Sequence, residues 1–384
     1  MVGVSMEWDV IIVGGGSAGL AAAKYSSKLG LKTLLFEAHS DIRAWKPCGE
    51  GVSKETFRTA GIEPKQGIVS NELNMRVYSP SGKYVEIPLH GYAINKDIFL
   101  QEMAKEALKA GAEFRVAERV ERVLREGHKV VGVRTAKGEE FKAKVVIGAD
   151  GYNSVVAKSA GLDNSTELIP VYQYKMVGVD LDSYNTGRIY VGSMAPGGYA
   201  WIFPKEEDIA NVGIGVRPGV PKVYLDKFIK DRPELFKNAK IMGAGGAAVP
   251  IGGLAKEYIG NGVILLGDAA GMVIPFTGAG IHSSIAAGKV VSEVIKEAIE
   301  KGDLSAESLS EFNKRYEPWI KRINDSLKAM RVFEKIGDNE LNQLAEVLDY
   351  EDVINLANGI NLRKVAMKLM KHPVLAAKVA KALL

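Results

Sequence analysis

The chain has 384 residues, 47% hydrophobic and 25% charged, with a formal net charge of +4. That suits a globular protein of two or three domains or one composite fold, and without basic–aromatic interleaving or zinc-finger spacing it indicates neither nucleic acid nor a metal site. A single cysteine, Cys48, excludes an internal disulfide and a cysteine-held iron–sulfur cluster, and points to a reducing, cytoplasmic setting.

Asp9 to Val13 is a short β-branched run ending in Gly14-Gly15-Gly16, which predicts a buried parallel strand rather than a signal-peptide core. Ser17 to Leu29 has helical periodicity and stops at Gly30, and Lys32 to Glu37 is a second strand, completing a βαβ unit. Leu73 to Pro88 alternates around Pro80-Ser81-Gly82 and predicts a hairpin, and Lys96 to Ala110 an amphipathic helix. Phe114 to Ala149 is strand-rich and closes with another buried strand, Lys144 to Ala149. Leu168 to Val216 reads as antiparallel strands, Tyr224 to Ile229 as a short helix, Gly262 to Leu266 as a buried strand, and Gly280 to Gly302 as a long helix. Beyond it the chain is helical to Leu384, and no stretch reaches the roughly 18 apolar residues that span a membrane.

Gly14-Gly15-Gly16-Ser17-Ala18-Gly19 fits G-x-G-x-x-G. Gly14 permits the tight turn, Gly16 lets a pyrophosphate approach the backbone, and Gly19 lets helix and strand pack closely. The helix N-terminus offers free N–H groups to phosphates. Glu37, at the end of the second strand, is placed to accept hydrogen bonds from a ribose diol. Strand, glycine turn, helix and acid together predict dinucleotide binding.

Two later segments, Gly148-Ala149-Asp150-Gly151 and Gly267-Asp268 with Thr277-Gly278-Ala279-Gly280-Ile281 behind it, resemble motifs of flavoproteins of the p-hydroxybenzoate hydroxylase fold. That resemblance implies FAD, with Asp268 on the ribityl chain and the helix starting at Gly280 facing the flavin, where a helix N-terminus suits the anionic reduced ring. Lys46-Pro47-Cys48-Gly49-Glu50-Gly51 and Tyr199-Ala200-Trp201-Ile202-Phe203-Pro204 resemble the cysteine loop and the Y-x-W-x-F-P motif of the geranylgeranyl reductase family, which includes archaeal enzymes that saturate ether-lipid isoprenoid chains. The resemblance runs from about residue 7 to about 330.

What it implies is an α/β fold: a Rossmann-like FAD domain from residues 1–75, 96–165 and 250–300, an antiparallel-sheet catalytic domain from 76–95 and 166–249, and a helical region over 301–384. It implies cofactor contacts at Ala18, Glu37, Cys48, Gly49, Gly51, Asp268, Gly280 and Ile281, joined by Lys96, where the family has arginine, and Val120. Tyr199, Trp201, Phe203 and Pro204 would line the lipid pocket, with Cys48 as candidate proton donor. The substrate would be a geranylgeranyl lipid or diphosphate, and the electron donor NAD(P)H or reduced ferredoxin.

Other readings stand beside these. Cys48 reads as a buried filler or a flavin-side thiol, Trp201 and Phe203 as core aromatics or tunnel wall, and His282 as packing or acid. The FAD motifs equally suit a monooxygenase (a hydroxylase or halogenase), and a non-enzymatic flavin-bound lipid carrier is the third reading. Residues 361–384 hold Arg363, Lys364, Lys368, Lys371, Lys378 and Lys381 and no carboxylate. They read either as a helix on the anionic inner face of the cell membrane or as one docked on the protein.

Overall fold

Strands β1 (Trp8–Val13) and β2 (Thr33–Phe36) are buried along nearly their whole length. In the computed structural model, which describes residues 8–380 and 383, they pair in parallel through the crossover helix α1 (Ser17–Lys28). The chain then runs through β3 (Gly51–Ser53), α2 (Lys54–Ala60), β4 (Val69–Tyr78) and β5 (Tyr84–Ile94). It continues through α3 (Lys96–Lys109), β6 (Glu113–Arg115), β7 (Val120–Glu126), β8 (Lys129–Thr135), β9 (Glu140–Gly148) and α4 (Val155–Ala160). Next come β10 (Leu168–Val177), β11 (Thr186–Tyr190), β12 (Tyr199–Pro204), β13 (Ile209–Gly215), α5 (Pro221–Lys230), α6 (Pro233–Phe236) and β14 (Lys240–Pro250). The last strands are β15 (Ile259–Gly260) and β16 (Val263–Leu265), followed by a 3₁₀ turn at Gly267–Ala270 and the long helix α7 (Ile281–Lys301).

The first sheet has the order β15-β16-β9-β1-β2-β6, with β7 and β8 attached to β9 as an antiparallel ribbon. β1 pairs in parallel with β2 on one side and β9 on the other. Such a reversal of strand order opens a crevice beyond the carboxyl ends of the strands. The crevice is floored by α1 and α7, which touch through small residues. A Cβ on Gly288 would stand 2.7 Å from Ala21 Cβ and 2.7 Å from Ala22 N. Ser26 and Ser292 hydroxyls meet at 3.0 Å across the same seam.

The second sheet has the order β14-β10-β13-β12-β11-β4-β5-β3. One face carries its own core, with Met176, Ile202, Val212 and Ile214 against Leu225 and Phe228 of α5. One expectation is corrected. Residues 51–75 were assigned to the first part, but β3 and β4 belong to the second sheet, while α2 between them packs Phe57 and Ala60 into the core of the first. The strands of 168–216 pair with one another antiparallel, as expected, and β11 adds a parallel pairing with β4. Alternation within a strand sets its faces but does not choose a partner a hundred residues away.

After α7 come α8 (Ala306–Leu309), α9 (Glu311–Arg315), α10 (Glu317–Phe333), α11 (Asp338–Val347), α12 (Tyr350–Asn358), α13 (Leu362–Leu369) and α14 (Pro373–Leu375). The tail is docked. Leu362, Val365, Leu369, Leu375 and Val379 are buried with Val332, Leu344 and Leu356 in one cluster. Lys368 pairs with Asp349 and Asp352, Lys364 with Glu351, and Lys378 with Glu340. The apolar stripe expected for a bilayer is therefore taken up by α10–α12, leaving Met367, Met370 and Val374 exposed. Residues 1–7 and Lys381 lie outside the described residues. Among the described residues no helix is long and apolar enough to cross a membrane.

Candidate active site

The glycine turn after β1 shows which glycines serve packing and which serve space. Gly14 has φ +106°, and a Cβ there would fall 2.3 Å from Ala149 O. A Cβ on Gly19 would fall 1.9 Å from Gly14 O. Gly16 differs, since nothing lies within 4 Å of its Cβ position. It is the N-cap of α1, in extended conformation with no side-chain cap, so the first N–H groups of the helix face open space. That is an anion cradle.

Glu37 lies beside it, its side chain 5% exposed. Burial by itself would raise its pKa. The N–H of His39, the nearby Lys46 ammonium, the His39 ring and the N–H of Gly15 outweigh burial and hold it at about 2. The distances are 2.9 Å to Gly15 N, 2.9 Å to His39 N, 2.5 Å to His39 Nδ1 and 3.2 Å to Lys46 Nζ. A carboxylate so held stays ionised and accepting, as a ribose diol requires. Asp150 turns instead towards its own helix. It accepts from Ser154 Oγ at 2.6 Å and Val155 N at 2.7 Å, and so caps α4.

Asp268 lies in the 3₁₀ turn after β16. Burial pushes its carboxyl up and Lys96 pulls it down. Among the described residues no donor reaches this carboxylate. Gly280, the N-cap of α7, has no side-chain cap, and a Cβ there would stand 3.6 Å from Asp268 Oδ1. An unsatisfied acceptor and an uncapped helix start thus face the same space, where a polar ligand satisfies both.

The cysteine loop is clasped by the second sheet. Asn211 Nδ2 donates to Cys48 O at 2.8 Å, and Gly49 and Gly51 sit against the Phe203 ring. Tyr199, Trp201 and Phe203 project from one face of β12, with ring centroids 6.0 and 6.4 Å apart. Tyr199 is pushed up to about 12 by burial, so its hydroxyl keeps its proton, which it donates to Thr277 O at 2.5 Å. Trp201 is 7% exposed and its Nε1–H has no partner among the described residues. A buried donor left unpaired costs roughly 1–3 kcal/mol, a cost that a ligand acceptor would remove.

These residues line one cavity of about 1150 Å³. That exceeds the roughly 300–1,000 Å³ of a pocket for a single small ligand. Of the expected residues, Gly14, Gly16, Ala18, Glu37, Cys48, Gly49, Lys96, Val120, Asp268, Gly280, Ile281, Tyr199, Trp201 and Phe203 line it. Three do not. Gly19 packs under the turn, Gly51 lies behind the Phe203 ring, and Pro204 is buried at the end of β12, its carbonyl 3.5 Å from Asn71 Nδ2. Pro204 is accordingly corrected from wall to support. His282 is also outside the cavity: its Nε2 meets Thr59 Oγ1 at 2.8 Å and its ring packs edge-on against Trp319.

Sequence reasoning missed the far wall. Phe276, Met330, Phe333, Leu341, Leu344 and Leu348 line the apolar end of the cavity. Leu341 and Leu344 on α11 and Leu348 at its C-cap recur at helical spacing, a signal that marks a buried face without saying what it covers. Polar contacts latch α11 to the second sheet: Asp338 accepts from Ser193 N at 2.8 Å and Ser193 Oγ at 2.6 Å, and Asn342 Oδ1 accepts from Ser81 N at 2.8 Å.

Comparison with known proteins agrees with this geometry. A model of the geranylgeranyl reductase catalytic domain matches residues 167–249, and one of glucose inhibited division protein A matches residues 9–189. The chain is 37% identical to digeranylgeranylglycerophospholipid reductase 2 of Methanopyrus kandleri, over 99% of this chain and 100% of that protein. It is 38% identical to the digeranylgeranylglycerophospholipid reductase of Methanosarcina acetivorans, over 89% and 88%. A solved geranylgeranyl bacteriochlorophyll reductase-like protein from Thermoplasma acidophilum superposes with a TM-score of 0.89 at 30% identity, covering 98% of this chain and 99% of that one. A flavin-dependent brominase at 19% identity, with a TM-score of 0.78 and coverage of 98% and 100%, shares the fold. Fold, cavity and relatives agree, and the chain belongs to the geranylgeranyl reductase family, alongside the digeranylgeranylglycerophospholipid reductases.

Proposed function

We propose that the protein is an FAD-dependent reductase that saturates double bonds of geranylgeranyl chains in isoprenoid lipid biosynthesis. The observation that carries this reading is the continuity of the cavity, from an anion cradle at Gly16 to an apolar chamber under α10–α12, with Cys48 and the Tyr199–Phe203 aromatics lining it as well. The residues fit the cofactor. The turn at Gly14–Gly19 and the start of α1 hold its diphosphate, Glu37 its ribose, and Asp268 with the start of α7 its polar chain and ring.

FAD, once bound and reduced, supplies the hydride. The chain's own residues do the rest. Phe276, Phe333 and Leu344 enclose an apolar prenyl chain and exclude water, which orients the alkene. An unactivated alkene accepts hydride poorly, so a proton must arrive with it or ahead of it, and Cys48 Sγ is the atom proposed to give that proton. Tyr199 Oη, committed to Thr277 O, serves as wall and orienter. The electron donor is NAD(P)H or a reduced ferredoxin. Exposed Met367, Met370 and Val374 beside Arg363 and Lys371 form the face proposed to touch an anionic bilayer. Co-sedimentation with anionic but not zwitterionic vesicles checks that contact.

The test is anaerobic. The FAD-loaded protein is bleached with dithionite, freed of excess, and mixed with geranylgeranyl diphosphate or a digeranylgeranyl glycerophospholipid. Return of the flavin band with a gain of about two mass units per alkene supports the reductase. A flavin that stays bleached with both lipids and reoxidises only in air refutes it.

A further inference from the structure

Glu50 is a non-glycine residue with left-handed backbone, φ 62°. Such a conformation persists only where its surroundings over-determine it. Here the Glu50 side chain supplies the restraint. Its Oε2 meets Lys205 Nζ at 2.8 Å, and its Oε1 accepts the N–H of Lys96 at 3.2 Å. Its carbonyl accepts the N–H of Ile94 at 2.9 Å, and Lys205 Nζ also donates to the carbonyl of Ile94. Lys205 is 1% exposed, so its ammonium depends on these partners.

The consequence falls on the thiol. The N–H of Glu50 donates to Cys48 Sγ at 3.4 Å, so the residue that the ion pair anchors is also the one that holds the thiol. Lys205 follows directly on β12, the strand that carries Trp201 and Phe203. One segment therefore builds the aromatic wall and also restrains the loop that faces it.

We infer that Lys205 and Glu50 are positioning residues: their buried ion pair locks the left-handed turn at Glu50 and thereby the orientation of Cys48 Sγ in the cavity. The inference rests on the reading of Cys48 as the reacting thiol, and it is tested by a readout independent of turnover.

Cys48 is the sole cysteine, so alkylation of the FAD-loaded protein by iodoacetamide reports on this one sulfur. Glu50→Gln keeps the side-chain size and breaks the pair. A freed turn exposes the half-buried sulfur and so speeds alkylation, by an expected factor of about five or more. Turnover should fall about tenfold in kcat with KM unchanged. In a Lys205→Met background, where the pair is already gone, adding Glu50→Gln should change the alkylation rate by less than about twofold. Alkylation of Glu50→Gln within twofold of the parent overturns the inference, as does an equal increment in both backgrounds. If Lys205→Met does not retain FAD, the comparison of Glu50→Gln with the parent decides alone. Faster alkylation with unchanged kcat supports the positioning role and removes Cys48 from the chemistry.

Discussion

Gly213→Ala tests whether the aromatic wall is held where the reaction needs it. Trp201 on β12 faces Gly213 on β13 across the ladder. The indole lies over that glycine: an added Cβ would stand 2.1 Å from Cζ2, 2.4 Å from Cε2 and 2.6 Å from Cη2. Carbon atoms in contact sit about 3.5–4.0 Å apart, so the methyl group falls short by about 1.4 Å. The two strands cannot separate that far without breaking their hydrogen bonds, so the indole must swing into the cavity. Overpacking of this kind costs about 1–3 kcal/mol, which the fold should survive with a melting point lowered by a few degrees. A wall displaced by about 1 Å or more can cost as much as ~10²-fold in rate. The assay is anaerobic reoxidation of the reduced protein by a geranylgeranyl lipid, with FAD content and tryptophan emission read in parallel. Expected are parent-like FAD content, altered emission and turnover lowered about 10²-fold. Parent-like turnover with altered emission would refute the reasoning, because Trp201 would have moved without consequence.

Gly16→Ala and Gly19→Ala should part company. Gly16→Ala meets nothing in the protein and should fold with a parent-like melting point as the apoprotein yet bind FAD at least about tenfold more weakly, by titration. Gly19→Ala, at 1.9 Å from Gly14 O, should lose stability first. Glu37 has a folded pKa of about 2, below its ordinary 4.5, so its contribution is complete above about pH 4.5 and is lost as pH falls towards 2. Discounted for solvent, that is about 2 kcal/mol of apoprotein stability that Glu37→Gln should not lose over the same window, by denaturant melts at each pH. Ala345→Phe fills the chamber from α11 and should lower turnover of a geranylgeranyl substrate at least about tenfold while a shorter farnesyl chain is spared, with FAD content unchanged.

The glycine-turn end of the cavity was legible as a piece of structure because its determinants are local. Strand, glycine turn, helix and acid fall within the first forty residues, and each places its neighbour through backbone geometry: a positive φ at Gly14, a close approach at Gly19, a strand end at Glu37. The segments around Asp268 and Gly280 were legible for the same reason, since both sit where a strand or turn enters a helix. Likewise Trp201 and Phe203 follow from alternation on β12.

What the sequence determined by itself was therefore the set of short motifs, their order and the fold they belong to. Tertiary structure alone decided which strands pair across long separations, such as β11 with β4, and hence that β3 and β4 join the second sheet. It decided that Lys205 reaches back 155 residues to Glu50, that Pro204 supports the wall from behind, and that α10–α12 roof an apolar chamber. It also decided that the basic tail docks its apolar stripe on its own protein. The physical reason is common to all five. Periodicity specifies that a face is buried, but the partner that buries it is chosen by shape and charge complementarity between elements far apart in the chain, and no local pattern encodes that choice.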